Sequence, residues 1–211
     1  WGRISRLTGL FVCVVMAWAA SVCAQAPQAA QAPLGLYIQN GQFMRAGKVY
    51  RGVGINYMSA FSRVYVPLME NPNAKLDTSY REGFATLRSY DVPFIRFSVN
   101  GFWPSEWKLY LEQPDRYFEL LDMFFKDAEK AGIGLIPSLF WKFSTLPDAM
   151  GEPLDQWGNP NSKTIATMIR YTREIALRYK NSPALWGYEL GNEYMLEADL
   201  PNYPEIIGQY V

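Results

Sequence analysis

Four short apolar runs recur along this chain at intervals of roughly 40–50 residues, and that recurrence constrains the fold more than any other feature. They are Val49 to Asn56, Val92 to Val99, "IGLIPSLFW" from Ile133 to Trp141, and "ALWGYEL" from Ala184 to Leu190. Three segments of helical periodicity separate them. The first sets Tyr80, Phe84 and Leu87 on one face, and the second Tyr117, Leu120, Leu121, Phe124, Phe125 and Ala128. The third places Ile165, Met168, Ile169, Thr172, Ile175, Ala176 and Tyr179 inward. Strands buried on both faces read as unbroken apolar runs, so the alternation predicts an α/β fold with a parallel sheet.

Punctuation along the chain agrees. Ser79 with Glu82 predicts a capping box, Gly132 ends the second helix, and Asn181-Ser182-Pro183 stops the third. Pro93 stands at a strand start, where its missing N–H costs little. Ahead of the repeat, Asn40-Gly41 and Ala46-Gly47 break Gly35 to Tyr57 into short β runs, predicting a hairpin that caps the bottom of the core. A long loop containing Pro67 and Pro72 is expected between Ser59 and Asp77, and it suits the wall of a cleft.

Two architectures accommodate this order. A doubly wound nucleotide-binding sheet needs a glycine-rich turn entering its first helix, and "RGVGINY" lacks the third glycine. The long loops after each strand favour a (β/α)8 barrel, the TIM barrel, of which these would be the first four βα units. Residues 35–211 are then the N-terminal half of one catalytic domain.

The start of the chain is of another kind. Arg3 and Arg6 precede an apolar stretch from Leu7 to Val22, and Val22-Cys23-Ala24 offers a cleavage site. Residues 1–24 therefore read as a signal peptide, with a membrane anchor as the rival. Residues 25–34 read as an Ala/Gln/Pro linker, and the protein as secreted or periplasmic, free of the membrane after cleavage. Both cysteines, Cys13 and Cys23, fall in the leader, and the 211 residues contain no histidine. Cys/His zinc sites and Ser-His-Asp triads are thereby excluded within these residues. The formal charge is zero, so no basic surface argues for nucleic acid.

In a parallel barrel the C-terminal strand ends meet at one site. Here they carry Asn56, then Arg96, then Trp141, then Asn192 and Glu193. Amides and a guanidinium bond hydroxyls, and indoles stack on sugar faces. Glycosidic hydrolysis needs a carboxyl that protonates the leaving oxygen, and Glu193 is the candidate. Glu189 suits an ion pair more than catalysis, and Arg96 could serve a buried carboxylate. Trp103 and Trp107 in "NGFWPSEW", and Trp157, suit loop packing as well as sugar stacking.

"WGYELGNEY", with "RGVGINY" and "FIRFSV" upstream, resembles the clan A glycoside hydrolases, most of all the cellulase and β-mannanase group called family 5. The resemblance spans about Gly35 to Tyr194. It implies a retaining hydrolase of β-linked mannan- or glucan-type glycans that needs neither cofactor nor metal. Glu193 would be its general acid/base, Asn192 would hold the sugar 2-hydroxyl, and Arg96 would support the nucleophile. That nucleophile, a second Glu on the seventh strand, lies beyond these residues, so the stretch alone is expected to be inactive. Two departures stand out: no histidine falls within Ser138 to Trp141, and Tyr194 follows the Asn-Glu pair in place of proline. The alternative is a non-catalytic carbohydrate-binding barrel.

Overall fold

The computed structural model describes residues 35–100, 102–142, 144–193 and 203–209. The expected signal peptide and linker lie outside the described residues. Among those described, no helix is long and apolar enough to cross a membrane.

A small antiparallel sheet comes first: β1 (Tyr37–Gln39), β2 (Gln42–Arg45) and β3 (Lys48–Val49). Both of its turns have two consecutive residues at positive φ, Asn40 at 53° with Gly41 at 73°, and Ala46 at 48° with Gly47 at 78°. Such turns match strand twist, which is why the two dipeptides were legible as hairpins. The little sheet covers the start of the main one through Trp186. Arg45 lies 4.0 Å over that ring, Tyr50 meets it edge-on at 5.4 Å, and the Leu36 N–H donates to the Trp186 carbonyl at 3.1 Å.

The main sheet holds β4 (Ile55–Asn56), β5 (Phe94–Ser98), β6 (Gly134–Phe140) and β7 (Glu189–Gly191). All neighbours are parallel, and their spatial order is their chain order. A doubly wound sheet reverses its strand order at a switch point. No reversal occurs among the described strands.

Three expectations about the strands need correction. Val49 belongs to the hairpin sheet, and only Ile55 and Asn56 join the main one. That first strand is exposed and not buried, because it lies at the sheet's edge. The fourth run is also shorter than its apolar pattern: Leu185 makes a lone bridge to Leu135, and regular pairing resumes only at Glu189.

The helices are α1 (Ser62–Glu70), α2 (Tyr80–Ser89), α3 (Lys108–Glu112), α4 (Pro114–Ala131), α5 (Thr145–Met150), α6 (Lys163–Tyr179) and α7 (Tyr203–Gly208). Much of the expected loop after β4 is the helix α1, with Pro67 inside it. Proline removes one intrahelical hydrogen bond. Burial of Val64, Tyr65 and Leu68 on one face offsets that loss. The capping box of α2 does not form. Ser79 is itself helical, and Asp77 accepts from both its N–H (2.9 Å) and its hydroxyl (2.5 Å). The α4 boundaries follow the sequence, with Pro114 in the first turn and Gly132 left-handed at φ 66°. On α6, Ser162 accepts from the Ile165 N–H, while the Glu152 carboxylate takes the amides of Lys163 and Thr164. Ile169 points outward and Tyr171 inward, a correction to the helix face read from sequence. The apolar stripe is wide enough to be drawn through either residue, and packing chooses.

The core lies between the sheet and these helices. Phe124 of α4 is its hub, with ring centroids 4.8–5.6 Å from Phe61, Tyr80, Phe84 and Phe97. Each such pair contributes ~0.5–1.5 kcal/mol beyond its area burial. Side chains alternate along β5: Ile95 and Phe97 enter the core, whereas Phe94 and Arg96 take the other face.

Candidate functional site

Arg96 is the centre of the strand-end cluster. Its Nε donates to Glu189 Oε2 at 2.9 Å and its Nη2 to Oε1 at 2.7 Å, a two-pronged ion pair. The same Nη2 donates to Asn192 Oδ1 at 2.6 Å, and Nη1 to Asn56 Oδ1 at 3.2 Å. The guanidinium carbon stands 4.2 Å from the centroid of the Trp141 ring.

Backbone pairing explains the convergence. Asn56 and Arg96 are register partners across β4 and β5, so their side chains leave the sheet on the same face. Trp141 follows the last residue of β6, Glu189 opens β7, and Asn192 follows its last residue. The Asn192 N–H bonds the Phe140 carbonyl at 3.4 Å, which extends the ladder one step beyond β7.

This arrangement sets the polarity of both amides. Arg96 is a pure donor, so it turns the Asn56 and Asn192 oxygens toward itself. Their NH₂ groups meet no acceptor among the described residues and remain available to a ligand oxygen. The arginine and glutamate side chains are about a quarter exposed, 25% and 29%, so the pair borders solvent.

Glu193 follows directly. It is exposed, with φ at +50°, a left-handed conformation uncommon for glutamate. Such backbone is concentrated at sites that must aim a side chain. No described residue bonds its carboxylate. Sequence reasoning thus named four residues that meet in space, Asn56, Arg96, Trp141 and Asn192, and a fifth, Glu193, that adjoins them.

Trp141 is only 6% exposed. The guanidinium covers one side of its ring, so it supports Arg96. It also lines a cavity of about 230 Å³ with Ser98, Asn100, Trp103 and Glu106. Trp107 and Trp157 are each 1% exposed and are packing residues. Trp107 donates to Thr145 Oγ1 at 3.0 Å and contacts Phe140 and Tyr171. Glu189 makes the ion pair that suited it in sequence, with Arg96 as its partner; the polar group that sequence reasoning missed is Glu106. Burial pushes the Glu106 carboxyl above its ordinary range, against the Phe102 N–H and Tyr65 hydroxyl that donate to it. Nothing in the linear pattern marks Glu106.

Among the described residues, no group of three or more His, Cys, Asp or Glu is placed to hold a metal ion.

No family model and no curated relative matches the chain. Solved structures do. A glycoside hydrolase family 5 structure from Bacteroides vulgatus superposes with a TM-score of 0.52 at 15% identity, over 83% of this chain and 35% of that one. A psychrophilic β-glucosidase from Micrococcus antarcticus gives 0.44 at 14% identity, over 64% and 32% of the two chains. The AHE enzyme from Alicyclobacillus herbarius gives 0.40 at 15%, over 67% and 36%. This chain therefore spans about a third of the length of these structures. The first likeness shows an α/β fold shared with a glycoside hydrolase.

Proposed function

We propose that this chain is the N-terminal half of a retaining glycoside hydrolase built on a (β/α)8 barrel, exported by its leader and acting on β-linked mannan- or glucan-type glycans. The observation that carries the reading is the meeting of two amides, an arginine and an indole at parallel strand ends, with Glu193 exposed beside them. Glycosidic cleavage uses two carboxyl groups, and convergent hydroxyl-bonding groups beside a carboxyl that no described residue bonds suit one of them.

Glu193 is assigned as acid/base. Its protonated carboxyl gives the proton to the leaving glycosidic oxygen. A second carboxylate, from outside the described residues, attacks the anomeric carbon as the carbon–oxygen bond breaks. Glu193, now ionised, takes a proton from water. The water oxygen bonds to the anomeric carbon and expels the second carboxylate. That cycle places the two carboxyl groups ~5–5.5 Å apart. The NH₂ of Asn192 would donate to the sugar oxygen next to the reacting carbon.

The test is Glu193→Gln in the intact protein. Turnover of β-1,4-mannan and β-1,4-glucan should fall by ~10²–10⁴, the range of general acid–base catalysis, with glycan affinity nearly kept. Unchanged turnover removes Glu193 from the mechanism. Glycan binding without turnover in the native protein would favour the sugar-binding barrel.

A further inference from the structure

We infer that Trp103 and Glu106 form a carbohydrate subsite removed from the cleavage centre, so that the substrate is a chain of several sugar units. The inference rests on the hydrolase reading and adds a substrate length and two residues to it.

Two cavities carry it. The inner one, about 230 Å³, touches Trp141 and so borders the Arg96 cluster. The outer one, about 560 Å³, lies between Met69, Glu70 and Pro72 on one side and Leu109 and Glu112 on the other. Its size falls within the range of small-molecule sites, ~300–1,000 Å³. Trp103 and Glu106 line both. They form a saddle between the strand-end cluster and the outer groove.

The saddle has the chemistry of a sugar platform. Trp103 is 57% exposed, unlike Trp107 four residues later, which is buried. Phe102 props it edge-on at 5.0 Å, and Lys142 Nζ stands 5.1 Å and 5.7 Å from the two rings. An apolar face beside a cation and a carboxylate suits a ring with axial hydrogens and equatorial hydroxyls. Glu106 Oε2 accepts from Phe102 N–H at 2.8 Å and Tyr65 Oη at 3.4 Å, and the Trp103 amide also supports the carboxylate. A carboxylate has about four acceptor sites, so three donors leave room for a ligand hydroxyl. A Glu106 N–H to Trp103 carbonyl bond of 3.0 Å closes the turn. The platform is thereby held in place before any ligand arrives. Clamping the turn explains Glu106 alone. It does not explain a tryptophan left exposed between two cavities.

The experiment compares β-1,4-linked mannose and glucose oligomers of two to six units with the intact protein, reading kcat/KM and calorimetric affinity. In the native protein both should rise with chain length. Trp103→Ala and Glu106→Gln should each cut the six-to-two ratio of kcat/KM by about tenfold, and Trp103→Phe should restore part of it. A purely structural role would lower the two substrates together and leave the ratio alone. A ratio preserved in both variants, or a native protein that cleaves every length equally well, overturns the subsite and spares the hydrolase reading. A native protein that neither binds nor cleaves any of these glycans overturns both.

Discussion

Phe97 and Arg96 are successive residues on β5, and they belong to two different environments. Phe97 enters an aromatic core in which Phe124 touches four rings. Arg96 crosses to the other face and gathers Asn56, Glu189 and Asn192 around one guanidinium. The core side is held by many interchangeable dispersion contacts. The cluster side is held by a few directional bonds that fail singly. The strand's two-residue period brings both about within one residue step.

The sharpest way to break this contrast is to remove the hub. Phe124→Ala should cost ~3–5 kcal/mol, the range for an aromatic residue truncated in a packed core. Denaturant melting would show it, whereas Glu193→Gln should shift the midpoint very little.

A middle-sized effect is expected from Arg96→Lys. Lysine keeps the charge but cannot reproduce the planar fork, and it leaves an amide or a carboxylate oxygen unmatched. A loss of about 1–3 kcal/mol of stability follows from hydrogen bonds to a charged group left unmade. The decisive measurement is whether glycan affinity falls as well, since the lysine no longer sets both amides. Affinity unchanged would mean that Asn56 and Asn192 do not face the ligand.

The smallest effect is a difference of sign with pH. Burial pushes the Asp122 carboxyl up, but Arg178 and Tyr179, bonding it at 2.5–2.9 Å, outweigh burial and hold it below the usual range. Its contribution is present above the unfolded value and is lost as pH falls through the depressed one. Glu106 is the reverse, raised chiefly by burial. Its protonated form is favoured by the fold, so its contribution is present at low pH and declines as pH rises past the ordinary glutamate range. Stability measured against pH should therefore separate the two variants above pH ~4–4.5, with Asp122→Asn falling below the native curve and Glu106→Gln rising above it as pH increases. Deviations of the same sign would show that the two carboxyls do not differ in this way.

Much of the helix layer was legible in sequence. The α4 face, its glycine stop and the inward Tyr80, Phe84 and Leu87 follow from periodicity, because a helix repeats every 3.6 residues whatever it packs against. The strands were legible as apolar runs but not as lengths. How far a strand pairs depends on its neighbour, and both Ile55–Asn56 and Glu189–Gly191 pair over less than their runs suggest. Pro67 misled because it was read as a loop residue, when burial around it tolerates one missing bond.

The sequence by itself determined which chemistry this chain can offer: no histidine, a few strand-end amides and carboxylates, one arginine among them, and an alternation that makes the sheet parallel. Composition and period are local properties, and no partner is needed to read them. Only the tertiary structure decided that Glu189 is the mate of Arg96, that Trp141 lies under that guanidinium, and that Trp103 is exposed while Trp107 is buried. Those pairings join residues up to 93 positions apart. They depend on how strands align and what covers each face, and no stretch of the chain carries that information alone.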